Sequence, residues 1–214
     1  MIHFRIIGDV HGKITEYIAL ARQAKYSVQL GDLGFDYSLV RETLDPACHR
    51  VLGGNHDNYE ADGEGKFIHQ PPHFLGDYGS YTVPGIGKLF FVRGANSIDK
   101  RCRKEGVDWW PAEEMRYSKA RKALQKYAEA KPDFMITHEC PKRVLDYVSP
   151  GKTWWGQPIA PSMTANLLDQ MLEIHQPKYW YFGHHHNDWS MQINGTNFCC
   201  LAELSYADLA ERPV

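Results

Sequence analysis

The chain has 214 residues, 43% of them hydrophobic and 23% charged, which suits a globular protein with room for one sizeable core. It lacks the roughly 20 consecutive apolar residues that a membrane helix needs, and a net charge of -2 gives no broad basic surface for binding the backbone of long nucleic acid. Cys48, Cys102, Cys140, Cys199 and Cys200 are odd in number and have no CxxC spacing, so a disulfide framework is not expected, and with no secretory leader the expected location is the cytoplasm.

Ile2 to Ile7 is a short apolar run that stops at Gly8-Asp9, the pattern of a buried strand emptying into a loop. Lys13 to Lys25 carries Ile14, Tyr17, Ile18 and Ala21 at helical spacing, and Tyr26 to Leu30 is a second apolar strand, ending in Gly31-Asp32. Cys48 to Leu52 runs into Gly53-Gly54-Asn55-His56-Asp57. Tyr81 to Val83 and Lys88 to Val92 flank Pro84-Gly85-Ile86-Gly87 and form a hairpin. Pro111 to Ala130 reads as one long exposed helix, with Pro at its start and Glu113 and Glu114 in its first turn. Phe134 to Ile136 ends at Thr137-His138, and Tyr179 to Phe182 ends at Gly183-His184. A second hairpin joins Trp189 to Ile193 and Asn197 to Leu201 through Asn194-Gly195-Thr196. With no repeat and no linker, the expectation is a single domain over 1–214.

Polar residues thus collect where apolar strands end: Asp9 and His11, Asp32, Asn55 with His56 and Asp57, His138, and His184 with His186. In layered α/β folds the loops beyond the carboxyl ends of the strands meet at one crevice, so residues far apart in sequence are expected to converge there. Carboxylates, imidazoles and one amide make a mixed oxygen and nitrogen donor set, suited to a transition ion rather than to Mg or Ca. Seven ligands are too many for one tetrahedral site. They suit two ions about 3.5–4 Å apart that share a bridging carboxylate, for which Asp32 is the candidate.

The blocks GDVHG at Gly8 to Gly12, GDLG at Gly31 to Gly34, GGNHD at Gly53 to Asp57, TH at Thr137-His138 and GHHH at Gly183 to His186 together resemble the calcineurin-like metallophosphoesterase superfamily. The resemblance implies an α/β fold, a four-layer α/β/β/α sandwich of two mixed β-sheets flanked by helices. It also implies a metal centre in which Asp9, His11 and His186 hold one divalent ion, Asn55, His138 and His184 the other, and Asp32 both. Manganese is the foremost expectation for the pair, with iron, zinc or nickel as alternatives. His56 would be the catalytic histidine, and Asp57, next to it, could fix its orientation. The segment at about 58–133 lies outside the shared pattern and reads as a family-specific insert.

Serine/threonine protein phosphatases carry a longer GDxVDRG block whose arginine contacts phosphate, but here Gly31-Asp32-Leu33-Gly34 is followed by Phe35-Asp36. That departure favours a phosphodiesterase or phosphatase acting on a small nucleotide-like ester, with a diester cleaved at least as well as a monoester. A nuclease or protein phosphatase would need its binding surface from the insert, and a non-catalytic scaffold of the same fold would be expected to have lost ligands that this chain keeps.

Other residues read more plainly. Lys100, Arg101, Arg103 and Lys104 could meet a phosphate but read first as a solvated face. Trp109-Trp110 and Trp154-Trp155 could stack on a base but read first as packing. His185 is expected beside the centre rather than in it, and His3, His49, His69, His73 and His175 are structural.

Overall fold

The structure is a computed structural model that describes residues 2–35, 37–59, 72–149 and 162–210. Trp154, Trp155 and His69 lie outside the described residues.

The first sheet contains β1 (Ile2–Ile7), β2 (Ala24–Gln29), β3 (His49–Val51) and β10 (Tyr206–Leu209) in the order β10-β1-β2-β3. The first three run parallel, and β10 pairs antiparallel with β1. The second sheet contains β4 (Tyr78–Val83), β5 (Gly87–Val92), β6 (Phe134–Thr137), β7 (Tyr179–Phe182), β8 (Trp189–Ile193) and β9 (Thr196–Cys200) in the order β4-β5-β6-β7-β9-β8. Here β5, β6, β7 and β9 are parallel, while β4 and β8 are antiparallel edges supplied by the two hairpins. Helices α1 (Ile14–Ala21), α2 (Ser38–Thr43), α3 (Tyr117–Ala130), α4 (Lys142–Val148) and α5 (Met163–Ile174) complete the regular elements.

Alternation along the strands separates three hydrophobic layers. Ile6, Val28, Leu30, Leu89, Phe91, Ile136 and Tyr181 meet between the two sheets. Their neighbours point the other way: Ile7 and Val51 pack with Tyr17, Ile18 and Val40 of α1 and α2. On the far side Phe90, Met135, Trp180 and Phe182 pack with Ala123, Tyr127, Leu145, Leu168 and Met171 of α3, α4 and α5. Three cores between four layers make the α/β/β/α sandwich.

Local differences from the sequence reading have identifiable causes. The first helix is shorter than Lys13 to Lys25 because Ala24 already pairs with Ile2 in the sheet. The single helix expected over Pro111 to Ala130 is split into a 3-10 turn at Pro111–Glu113 and α3. Glu114 and Arg116 are extended, and the two glutamates bond elsewhere. The buried Glu113 carboxylate accepts from the Ser97 N–H and Oγ, and Glu114 accepts from Thr164 N–H at the start of α5. Within 58–133 the described residues supply β4, β5 and α3, so this segment is built into the second sheet and its helical cover.

Candidate metal centre

The carboxyl ends of β1, β2, β3, β6 and β7 converge and bring the predicted residues together. Asp9, His11, Asp32 and His186 place one donor atom each within 4.8 Å of one another, and Asp32, His138 and His184 do the same. In the first group His11 Nε2 lies 3.7 Å from Asp9 Oδ2 and 3.8 Å from Asp32 Oδ2, and His186 Nε2 lies 3.3 Å from Asp9 Oδ2. In the second, His138 Nε2 lies 3.2 Å from Asp32 Oδ1 and 3.0 Å from Asn55 Oδ1. Asp32 belongs to both groups and offers a different oxygen to each.

These residues fit a pair of cations for reasons visible in their own contacts. Asp32 Oδ2 is buried without a hydrogen-bond partner, which a carboxylate oxygen tolerates poorly unless a cation neutralises it. The Nε2 atoms of His11 and His186 face each other at 2.9 Å, an arrangement that a shared ligand ion rationalises better than a proton does. His138 donates Nδ1–H to Leu30 O at 2.9 Å, so its Nε2, aimed at two acceptor oxygens, needs either a second proton or a metal ion. Burial disfavours that proton, but Asp32 and Asp9 outweigh it and raise the imidazole to about 10. Asp32 itself is pushed up by burial and pulled down further by His138, ending well below the usual carboxylate range.

The backbone is shaped around these side chains. His11, Asp32, His184 and His186 all have positive φ, between 47° and 67°, a left-handed conformation that costs L residues roughly 1–2 kcal/mol each. Gly54 packs so closely on Asp32 and His138, and Gly183 on Asp9, that a Cβ at either would collide with a carboxylate oxygen. The His138 turn is braced from below, where the buried Trp180 Nε1–H donates to Thr137 Oγ1 and that hydroxyl donates to Glu139 O.

His56 sits at the edge of the first group with its ring 5.2 Å from that of His11, and its N–H donates to Asp32 Oδ1 at 2.7 Å. Burial lowers its pKa; Asp32 opposes this and Arg103 adds to it. Asp57 does not act as the sequence reading suggested. Its carboxylate accepts from the N–H groups of Asp32, Leu33, Gly34 and Gly54 and from the Tyr37 hydroxyl, so it ties the GDLG loop to the GGNHD loop and leaves the His56 ring to other partners. Burial and Asp32 push that carboxyl up, against the pull of the backbone donors.

Several residues at the centre were not found from sequence. Ser97 Oγ accepts from Asn55 Nδ2 at 3.1 Å and donates to Glu113 at 2.5 Å, which fixes the Asn55 amide with its oxygen toward His138. Glu139 accepts from His185 Nε2 at 2.9 Å and from Cys140 N–H, and its other oxygen is 3.8 Å from His184 Nε2. His185 is thus bonded to Glu139, and with Cys140 these residues place donor atoms within 4.8 Å of one another. Of the basic cluster, Lys100, Arg101 and Lys104 are exposed, but Arg103 turns inward, its side chain 15% exposed, with Nη2 3.1 Å from His56 Nε2. Because β5 is parallel to β6, the Gly94 to Ser97 loop is a further strand end at the same crevice. Reading β5 only as half of a hairpin hid it. Trp110 is buried and packs against Phe35, as the packing reading has it.

Two donor groups that share one carboxylate at the strand ends of a four-layer sandwich define the class of a two-metal hydrolase. The family model of the calcineurin-like phosphoesterases matches residues 2–188, and the chain belongs to that family of metal-dependent phosphoesterases. No curated protein matches. Among solved structures, the chain is similar to the phosphopantetheinyl hydrolase of Mycobacterium tuberculosis, with 14% identity, 99% of this chain and 96% of that one covered, and a TM-score of 0.54. A putative 5'-nucleotidase from Staphylococcus aureus gives 12% identity over 94% of this chain and 48% of that one, also with a TM-score of 0.54. At such identities the likeness is one of fold. No helix among the described residues is long and apolar enough to cross a membrane.

Proposed function

We propose that the chain is a dinuclear phosphoesterase that hydrolyses a small, nucleotide-like phosphate ester in the cytoplasm. Asp9, His11 and His186 would hold one divalent ion, Asn55, His138 and His184 the other, and Asp32 both. The observation that carries this reading is Asp32, whose two oxygens face separate donor groups while the buried Oδ2 accepts no hydrogen bond. Manganese is the favoured ion, with iron, zinc or nickel also suited to the mixed donor set. Such a pair supplies Lewis-acid activation of water and neutralisation of phosphoryl charge.

The chain's own residues do the rest. The Ser97–Glu113 pair keeps the Asn55 oxygen facing His138, and Glu139 holds His185 and lies beside His184. His56 Nε2 accepts from Arg103 when no substrate separates them. With Arg103 turned to the substrate, the His56 ring in its protonated form would donate a proton or a hydrogen bond to a leaving-group oxygen, the role assigned to it by family resemblance. Asp57 is a positioning residue that fixes the two loops on which Asp32, Asn55 and His56 stand.

A small substrate agrees with the net charge of -2 and with neighbours named as a phosphopantetheinyl hydrolase and a nucleotidase. Five free cysteines suit a reducing compartment. The test is metal-stripped protein given Mn, Zn, Fe, Ni or Mg and a panel of mono-, di- and cyclic phosphate esters. Hydrolysis restored by a transition ion is expected; inactivity on every ester with every metal would favour a non-catalytic scaffold instead.

A further inference from the structure

We propose that Arg103 is a phosphate-binding residue of this site and that it makes the preferred substrate a phosphomonoester rather than a diester. The inference rests on the phosphoesterase reading above and names its substrate class.

The guanidinium is held on two sides. Nε and Nη2 donate to the two oxygens of Asp99, both at 2.7 Å, and Nη1 donates to Asp108 O at 3.0 Å. This fork fixes the plane of the group. The edge that remains is turned to the centre, where the second Nη2 hydrogen meets His56 Nε2 at 3.1 Å. Across the His56 ring lies His11 of the first donor group. The neighbouring Lys100, Arg101 and Lys104 remain exposed, so the inward turn belongs to Arg103 alone within the cluster.

A neutral imidazole is a modest partner for an arginine. A phosphate oxygen is a better one, because the hydrogen bond becomes charge-assisted. A terminal phosphate oxygen at Nη2 would replace the His56 contact with a charge-assisted one and leave the His56 ring to the leaving group. A diester carries one charge and two terminal oxygens, whereas a monoester near neutral pH approaches two charges over three. A fixed cation beyond the metal centre therefore adds more to a monoester. The arginine missing after Gly34 has a counterpart from a different loop, and the expectation of equal or better diester cleavage, which rested on that gap, is reversed.

The experiment uses the full chain reconstituted with Mn, as wild type, Arg103→Ala and Arg103→Lys. The kcat/KM for p-nitrophenyl phosphate and for its bis-ester are measured, and inorganic phosphate is titrated calorimetrically into each protein. In Arg103→Ala the monoester to diester ratio of kcat/KM should fall about 10- to 100-fold, and phosphate affinity by a similar factor, as loss of a charge-assisted bond predicts. Arg103→Lys keeps the charge and stem but loses the fork, so it should show a smaller loss of the same kind. It serves as the deciding variant if truncation unfolds the loop. An unchanged ratio, an equal fall on both esters or unaltered phosphate affinity would show that Arg103 only braces residues 99–108 and would overturn the proposal. If wild type cleaves neither ester, the wider panel of esters and metals decides the phosphoesterase reading, and the phosphate titration alone decides Arg103, unaltered affinity in Arg103→Ala and Arg103→Lys overturning the proposal.

Discussion

Gly54→Ala tests the architecture of the centre with a single methyl group. A Cβ at Gly54 would collide with Asp32 Oδ1 and the Asp32 N–H and would lie 2.8 Å from His138 Cε1. Neither neighbour can swing away: Asp32 Oδ1 accepts from His56 N–H, and His138 is tethered to Leu30 O. Relief requires a displacement of about 1 Å in the loop or the carboxylate, several times the ~0.2 Å tolerance of metal-ligand distances. The overpacking alone should cost about 1–3 kcal/mol in the metal-free protein. The larger effect is on metal linkage. Wild type in Mn at a hundredfold over its Kd gains about 2.7 kcal/mol per site, and Gly54→Ala should lose most of that gain at both sites because Asp32 and His138 are disturbed together. Thermal denaturation with and without Mn, alongside elemental analysis, reads both quantities. A folded Gly54→Ala protein that holds two Mn per chain with wild-type stabilisation would refute the reasoning.

Asp32→Ala should lose both ions and His186→Ala chiefly one; two metals per chain in Asp32→Ala would sink the shared-carboxylate assignment. His56→Ala should keep both ions yet lower turnover by about 10²–10⁴ without rescue by excess metal, whereas the loss in Asn55→Ala should be partly recovered by it. Glu113→Ala removes a buried acceptor two bonds away from Asn55, so it should weaken metal binding at the second site while leaving the first near wild type, as metal titration would show. Metal loading should also release protons. With His138 raised to about 10 in the metal-free protein, its imidazolium must give up a proton to bind, so affinity should rise with pH, up to about tenfold per unit for that proton below pH 10. Calorimetry in buffers of different ionisation enthalpy counts the protons, and a count of zero at pH 7 would contradict the pairing of His138 with Asp32. For stability the sign is opposite. The raised His138 stabilises metal-free protein below its unfolded value of 6.5, and that contribution fades as pH climbs toward 10.

Much of this protein is readable from sequence because the features involved are local. Apolar runs that break off at Gly-Asp, Gly-Asn or Thr-His mark strand ends, and parallel strands send those ends to one crevice, so seven separated polar residues group together from the sequence alone. Elements whose identity depends on a partner were harder to read. Pro111 to Ala130 has the composition of one helix, but Glu113 and Glu114 are drawn into bonds with Ser97 and Thr164, and the segment breaks between them. Asp57 is adjacent in sequence to His56, yet its carboxylate serves five donors: three on the GDLG loop, Gly54 of its own loop, and Tyr37. Arg103 shares its composition with three solvated neighbours, and only the parallel pairing of β5 with β6 and the grip of Asp99 turn it toward His56. Chain order determined which side chains stand at strand ends; the direction of a side chain beyond its own loop was decided by contacts that exist only once the two sheets have packed.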